Sequence, residues 1–296
     1  MNAPDMIHME AGCPLSGEEQ HIAMQLAAAA PSLTVRASSW AGLFDCAYRW
    51  EGIHLLKLRN VVGLRAALGT AIHAGTAAFD TSRLSGSGVT ADDAAGVMVD
   101  KLRDPENEYD PARDDLTVKD AERIGIALTA KYCIEVSPRF NFVAVEMETK
   151  PLDIDCGGGT IVRLTGTMDR ARIRKGAHGV GIADLKSGSA AVQKGAAVTK
   201  GHGAQIGTYE LLYEHTTGES ITDDAEIIGL KTKGTPEIAT GTIRNAKRVM
   251  VGTEDHPGLI EFAAEMFRSG RFYPNPRSLL CGEKYCPRWN SCQFHD

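Results

Sequence analysis

The sequence predicts an α/β fold in which helices and a mainly antiparallel sheet form one domain. Two observations lead to this prediction. Up to residue 138 apolar residues recur at helical spacing, and then they alternate, as in FVAVEMETKPL, IVRLTGTMDRARI and GVGIADLKSG. No internal repeat or clear linker divides the 296 residues. We therefore expect one domain, with helical extensions around the sheet.

The individual elements follow from apolar spacing and end signals. An Ala-rich helix stops before Pro31, and Ser38 or Ser39 can cap the next one. Predicted helices cover about 18–30, 38–50, 64–82, 91–102, 116–135, 204–216 and 245–268, and a further strand covers 225–230. The chain then divides into an N-terminal extension (1–37), a helical region (38–137), an α/β core (138–244) and a C-terminal helix with a cysteine cluster (245–296).

Composition excludes several classes of protein. With 43% hydrophobic and 24% charged residues, the chain matches a globular protein rather than a disordered, collagen-like or coiled-coil one. No apolar run approaches the length of a membrane span, so we expect no membrane partner. The first residues, MNAPDMIHMEAGC, carry acids where a signal peptide has basic residues. We therefore expect a cytoplasmic protein, in which seven cysteines do not form a disulfide framework.

The net charge of −6, taken alone, argues against a nucleic-acid partner. Its distribution changes that interpretation. Up to Cys156 there are 14 basic and 23 acidic residues, whereas the rest of the chain has 18 basic and 15 acidic. An acidic N-terminal half and a mildly basic C-terminal half fit a protein that contacts phosphate on one face only.

The strongest local motif is Asp184-Leu185-Lys186, at the end of an apolar strand. Strand side chains alternate, so Asp184 and Lys186 project from the same face. A carboxylate and an ammonium placed in this way can hold a hard metal ion and an attacking water together. The alternative is an ordinary ion pair on a solvated strand end.

A second carboxylate, Asp169, lies on the neighbouring strand in the motif GTMD. Antiparallel pairing would bring it beside Asp184. Two adjacent carboxylates repel unless a cation neutralises them, and hard oxygen ligands suit Mg²⁺ or Mn²⁺. The alternative is that Asp169 pairs with Arg170 and Arg172. Glu146 and Glu148 also share a strand face near this site, where a solvated face is favoured over a ligand role.

Two helices carry further polar candidates. His73 follows Gly69 on a helix face of small residues, which would let another element approach closely. A lone helical histidine is more often structural, but a neutral imidazole is also a good metal ligand. Gln205 and Tyr209 are spaced i, i+4 and share one helix face. Both side chains can hydrogen-bond to phosphate or a base.

The C-terminal segment contains Cys281, Cys286 and Cys292, and a fourth ligand would have to come from elsewhere. Cys46 is the natural candidate. Four cysteines can hold zinc or an iron–sulfur cluster, and the absence of a C-x2-C pair favours the cluster. The remaining alternative is four unligated thiols.

Together these motifs resemble the PD-(D/E)XK nuclease superfamily, and within it the RecB-like nucleases that carry an iron–sulfur staple. CRISPR-associated adaptation nucleases, phage-encoded exonucleases and the nuclease domain of AddB-type helicase–nucleases share this arrangement. The resemblance extends from Ser38 to Cys292. It implies a restriction-endonuclease-like core, a central mixed sheet flanked by helices, with an N-terminal helical extension and a C-terminal iron–sulfur staple.

The resemblance also implies roles for individual residues. Metal ligands would be His73, Asp169, Asp184 and the Leu185 carbonyl. Lys186 would orient the hydrolytic water, and Gln205 and Tyr209 would support the active site and substrate. A [4Fe-4S] cluster would be held by Cys46, Cys281, Cys286 and Cys292. Two departures from the pattern are the four-residue gap between Cys281 and Cys286, where many relatives have two, and aspartate rather than glutamate at position 184.

The function implied is a Mg²⁺- or Mn²⁺-dependent DNA exonuclease that prefers single-stranded or free ends and works in recombination, repair or phage DNA processing. Candidate phosphate contacts are Lys194, Lys200, Lys231 and Lys233. Two alternatives remain open: a CRISPR-associated trimming nuclease that acts with integration partners, and a non-catalytic DNA-end-binding scaffold. An intact set of candidate catalytic residues argues against the scaffold. The sequence predicts neither the polarity of digestion nor the oligomeric state.

Overall fold

A computed structural model describes residues 32–295 of the chain. The helix predicted for 18–30 and Cys13 lie outside the described residues. The helices are α1 (Trp40–Asp45), α2 (Ala47–His54), α3 (Leu64–Ser85), α4 (Ala91–Arg103), α5 (Val118–Lys131), α6 (Gly203–Thr217), α7 (Ala246–Val251) and α8 (Leu259–Ser269). The strands are β1 (Ser32–Arg36), β2 (Val62–Gly63), β3 (Tyr109–Asp110), β4 (Phe140–Glu148), β5 (Leu152–Asp155), β6 (Ile161–Thr165), β7 (Thr167–Arg174), β8 (Val180–Gly188), β9 (Val192–Gln193), β10 (Ala196–Ala197), β11 (Ala225–Lys231) and β12 (Glu237–Ile243).

The central sheet has five strands in the order β12-β11-β8-β7-β4. Strands β8 and β11 are parallel, and the other neighbours are antiparallel. The expected meander of three strands is therefore present as β4, β7 and β8. The parallel pair requires a crossover, and α6 lies in that crossover between β8 and β11.

Helices cover both faces of this sheet. Successive strand residues point to opposite sides, so adjacent residues pack against different helices. In β8, Ala183 packs with α3, α4 and α5 in one hydrophobic cluster, whereas Ile182 packs with α6 in another. In β11, Ile228 belongs to the first of these clusters and Ile227 to the second. An α/β fold with a mixed sheet between helices is therefore confirmed.

A second sheet has three strands in the order β1-β6-β5, with β1 parallel to β6. It packs against α1, α2 and α8 in a third hydrophobic cluster. The prediction of one strand over IVRLTGTMDRARI was wrong, because the chain changes sheets at Gly166, between β6 and β7. The described part of the expected helical extension, residues 32–36, is strand β1.

Two predicted helices are each divided. The helix expected from residue 38 breaks at Cys46, whose backbone is extended (φ −144°, ψ 93°). The long helix expected over 245–268 ends at Gly252, which has a left-handed φ of 73°. There the chain doubles back so tightly that a Cβ atom at Gly258 would lie 2.1 Å from the Met250 carbonyl oxygen. No helix in residues 32–295 is both long and apolar enough to cross a membrane.

Candidate active site

The two predicted carboxylates lie on adjacent strands. Arg170 of β7 pairs with Ala183 of β8, so the register places Asp169 opposite Asp184. Both residues are buried, at 8% and 1% relative exposure. The β7–β8 pairing ends at Arg170 and Ala183, and beyond it the Leu185 N–H donates to Asp169 Oδ2 at 2.8 Å. The backbone pairing of β7 with β8 therefore ends where the two acids lie side by side. The predicted role of the Leu185 carbonyl stays a prediction.

Helix α3 brings His73 to Asp169. Its Nδ1 lies 3.5 Å from Asp169 Oδ2. Gly69 lies one turn earlier, where α3 meets the end of β8, and a Cβ atom there would lie 2.5 Å from Ser187 Oγ. The predicted face of small residues therefore faces β8 and leaves room for the Ser187 hydroxyl in its present position.

Glu146 completes a group of three possible metal ligands. The ligand atoms of His73, Glu146 and Asp169 all lie within 4.8 Å of one another. A register irregularity in β4 precedes Glu146, and its own φ is +46°. Such a left-handed backbone is costly for a residue with a Cβ and is typical of functional sites. The sequence favoured a solvated face here, but the carboxylate, although 41% exposed, belongs to the cluster.

Asp184 makes a different set of contacts. Lys186 Nζ lies 2.5 Å from its Oδ2, and Gln205 Nε2 donates to its Oδ1 at 3.2 Å. Gln205 Nε2 also lies 3.1 Å from the Tyr209 hydroxyl, so the residues of the Q-x-x-x-Y motif are in contact. Burial, followed by the charge of Asp169, raises the pKa of Asp184 to about 7, while Lys186 opposes this shift. Burial also raises the pKa of Tyr209.

Arg170 supports the cluster from inside the protein. Its side chain is fully buried, and its Nη1 donates to Glu146 Oε1 at 2.9 Å and to the Asp169 carbonyl at 2.7 Å. Its Nε donates to Asp80 Oδ2 at 2.7 Å. Asp80 also accepts from the hydroxyls of Tyr132 and Ser137, at the π-helical turn that follows α5. One guanidinium thus connects α3 to two ligand-bearing strands.

His202 is a neighbour of the site that the sequence analysis did not single out. It immediately precedes α6, three residues before Gln205, and is half-buried. Burial, followed by the charge of Lys186, lowers its pKa to about 4. The imidazole is therefore neutral near pH 7. The signal available in the sequence was the i, i+3, i+7 spacing of His202, Gln205 and Tyr209.

The family model of the PD-(D/E)XK nuclease superfamily matches residues 36–293. The chain belongs to this superfamily. A comparison with curated proteins gave no match. Among solved structures, the protein is similar to a Eubacterium rectale protein named "Putative exonuclease", at 14% identity and a TM-score of 0.48. The match covers 90% of this chain and 91% of that one.

PD-(D/E)XK nucleases use divalent metals, and the ligand set of this nuclease fits one. Two carboxylates and an imidazole are donors that Mg²⁺ and Mn²⁺ accept. Outside its ion pair with Lys186, Asp184 Oδ2 accepts no hydrogen bond among the described residues. That atom therefore keeps a lone pair for a further ligand interaction.

The nuclease also gathers its four predicted cluster cysteines. Cys46, Cys281, Cys286 and Cys292 line one pocket, together with Asn275. The Asn275 N–H donates to Cys46 Sγ at 3.4 Å. The extended backbone at Cys46 separates α1 from α2, so the thiol lies in a helix break rather than within a helix as expected.

Among the described residues, no hydrogen bond or ion pair joins the four predicted DNA-contacting lysines to the carboxylates of the site. Lys194, Lys200 and Lys233 are exposed, and Lys194 has a left-handed φ of 52°. Lys231 lies 3.4 Å from Glu237 across the β11–β12 pair. Their role stays a prediction.

Proposed function

We propose that this nuclease hydrolyses DNA with a divalent metal held by the three ligands His73, Glu146 and Asp169 and by Asp184 as a fourth, and that it acts as an exonuclease on single-stranded or free ends. The convergence of these three ligands beside the Asp184–Lys186 pair supports the proposal most strongly. An ion pair on a solvated strand end would need neither the burial of Asp184 nor the third ligand from α3. The preference for free ends rests on the resemblance to RecB-like nucleases.

The metal, when bound, would polarise the scissile phosphate and lower the pKa of a bound water. The protein's own residues hold the other reactants. Lys186 orients the attacking water, and Asp184 fixes its ammonium at 2.5 Å. Gln205 bonds to both Asp184 and Tyr209, so it fixes the orientation of that carboxylate. Such preorganised groups avoid reorganisation during the reaction.

We also propose that Cys46, Cys281, Cys286 and Cys292 hold a [4Fe-4S] cluster. Their positions around one pocket fit a four-thiolate site, and a backbone N–H to Cys46 Sγ is the type of bond that stabilises a cluster thiolate. The cluster would fasten the C-terminal segment to the helix break at Cys46. Zinc bound by the same four thiolates is the alternative.

Digestion of labelled substrates tests the nuclease proposal. Anaerobically purified protein is mixed with a linear single strand, labelled at either end, and with a circular single strand, in Mn²⁺ or in EDTA. We expect metal-dependent loss of the linear strand, an intact circle, and no cleavage by Asp169→Asn. Asp153→Asn, on the exposed face of β5, is the matched control and should cleave normally. A cut circle would indicate an endonuclease, and binding without cleavage in Mn²⁺, or in Mg²⁺ used in its place, would indicate the scaffold.

A further inference from the structure

A basic groove lies beside the C-terminal end of α2. Its lining includes Arg36, His54, Lys57, Arg59, Asn60 and Tyr285. None of the nine described residues that line it is acidic. Within residues 32–295, Arg36, Lys57 and Arg59 form no ion pair with a carboxylate, although most arginines near the active site do. In a chain with a net charge of −6, this concentration of unpaired cations requires an explanation.

The cations of the groove act on one another. Burial lowers the pKa of His54, and the charges of Lys57, Arg36 and Arg49 lower it further. Two cations of the groove, Lys57 and Arg36, therefore lie close enough to His54 to lower its pKa, whereas Arg49 lies outside the groove. Mutual repulsion of this kind destabilises a protein unless an anion is present to offset it.

Lys57 is held in a conformation that favours glycine. Its φ is +59°, and the Leu58 N–H donates across it to the Gly52 carbonyl at 2.9 Å. This bond closes the turn that follows α2, and at a left-handed φ glycine is the usual residue because it has no Cβ. Lys57 Nζ donates to the His54 carbonyl at 2.7 Å, which fixes the ammonium at the groove. A lysine here adds positive charge at the expense of backbone strain.

The groove is connected to the active site along the chain. Arg36 ends β1, and the next residue, Ala37, packs against Gly166, where a Cβ atom would lie 3.2 Å from Ala37 Cβ and 3.0 Å from Tyr209 Cε1. On its other side, residues 57–60 lead through β2 into α3, which carries His73. Short chain segments therefore join the groove to a residue packed beside Gly166 and to the helix that carries His73.

We propose that this groove binds the phosphodiester backbone of one nucleic-acid strand next to the site of cleavage. Arg36, Lys57 and Arg59 would contact successive phosphates, and Tyr285, which is 46% exposed, would stack on a base. The inference rests on the proposed function, because it assumes that the substrate is a polynucleotide. Lys194 and Lys200 are not among the residues that line this groove.

Binding measured without cleavage tests the proposal. A fluorescent single-stranded oligonucleotide is titrated in EDTA at several salt concentrations, against wild type, the double variant Lys57→Gly/Arg59→Gln, and Lys119→Gln. Lys119 is an exposed cation in α5 outside the groove and serves as the charge control. Each lost single-strand phosphate contact lowers the log–log salt slope by about 0.7, so the double variant should lose about 1.4. The control should match wild type.

The substitutions also separate charge from folding. Lys57→Gly alone should raise the melting temperature, because glycine relieves the left-handed backbone, while it weakens DNA binding. Tyr285→Ala should abolish quenching of a fluorescent base analogue in the strand, whereas Tyr273→Ala, at an exposed tyrosine outside the groove, should not. An unchanged salt slope in the double variant, or equal loss of duplex and single-strand binding, would overturn the proposal.

These outcomes also distinguish the two proposals. If wild type cleaves DNA and the groove variants bind and cleave as wild type does, the groove assignment fails and the nuclease proposal stands. If wild type binds single strands through the groove but cleaves nothing in Mg²⁺ or Mn²⁺, the nuclease proposal fails and the groove assignment stands. Loss of binding in Lys194→Gln/Lys200→Gln with normal binding in the groove variants would move the strand to the loop after β8.

Discussion

Arg170 and Asp80 form an ion pair in which neither side chain is exposed to solvent, with Arg170 Nε 2.7 Å from Asp80 Oδ2. The pair joins α3 to β7, one residue after the candidate metal ligand Asp169. The hydroxyls of Tyr132 and Ser137 also donate to Asp80, so both of its carboxylate oxygens accept hydrogen bonds. The same guanidinium bonds to Glu146. Arg170 therefore contacts both the buried Asp80 and the candidate ligand Glu146.

Asp80→Asn should destabilise the protein and weaken metal binding together. Removal of one partner from a buried ion pair leaves an uncompensated charge and costs about 3–5 kcal/mol. Arg170 would then hold Glu146 less firmly. Denaturant unfolding measures the first effect, and calorimetric titration with Mn²⁺ measures the second. Asp153→Asn, which breaks an exposed pair with Arg163, should change neither. An Asp80→Asn protein with normal Mn²⁺ affinity would make the pair purely structural.

Glu146→Gln should weaken metal binding while the fold is retained. Glutamine still offers an oxygen to Arg170 Nη1, but it has lost the negative charge that a cation needs. We expect Mn²⁺ affinity to fall about 10–100-fold, the range for altered groups around metal sites. Glu148→Gln, two residues further along β4 and outside the cluster, is the control. Equal losses in the two variants would show only a general effect of negative charge.

Lys186→Met should slow the chemical step and leave DNA affinity nearly unchanged. A single positioned acid–base or electrostatic group contributes at least about 10²-fold to rate. Lys186 also lowers the pKa of Asp184, so single-turnover rates must be compared at saturating metal. Lys186→Arg should restore little, because guanidinium is planar and larger. A variant that loses affinity but keeps its single-turnover rate would instead identify Lys186 as a phosphate contact.

Metal affinity should increase with pH up to about 7 and then become constant. Asp184 has a pKa of about 7 without metal, so a bound cation must displace its proton at lower pH. The folded metal-free protein also holds this proton between the ordinary pKa of 3.8 and about 7, where the unfolded chain has released it. Its stability should therefore fall as pH rises through that window. Melting curves of wild type and Asp184→Asn test this, since the variant should lack this contribution.

Serine at Cys46, Cys281, Cys286 or Cys292 should remove most of the iron from the purified protein. Each variant removes one of four thiolates around the pocket. The broad visible absorption of a cluster should disappear with the iron. Cys156→Ser, in the turn between β5 and β6, is the control and should keep its iron content. Stoichiometric zinc without iron in anaerobic wild type would favour a zinc site and leave the nuclease proposal intact.

The sequence predicted the parts of the site that depend on local patterns. Asp169 and Asp184 lie on two antiparallel strands that a short turn connects. Strand alternation and the length of the turn were therefore enough to predict that they lie side by side. Gln205 and Tyr209 follow directly from helical spacing. The helix of His73 was predicted, although its contact with Asp169 came from the family resemblance rather than from spacing.

The parts that were missed depend on distant contacts or irregular backbone. Simple alternation cannot show the register shift and left-handed φ that turn Glu146 toward the cluster. Arg170 was considered only as a neighbour of Asp169, because its main partner, Asp80, lies 90 residues earlier. Strand β1 has the alternating burial of a sheet strand but only five residues, and its partner β6 is more than a hundred residues away.

Gly166 is the corner at which the chain leaves one sheet and enters the other, and the missing side chain has a mechanical consequence. Ala37 and Tyr209 occupy the space that a Cβ would fill. A side chain at this corner would press on both residues at once, and Tyr209 is bonded to Gln205, which in turn bonds to Asp184. Even one added methyl group at position 166 would therefore disturb the contacts that orient Asp184, although the residue itself lies outside the cluster of candidate ligands.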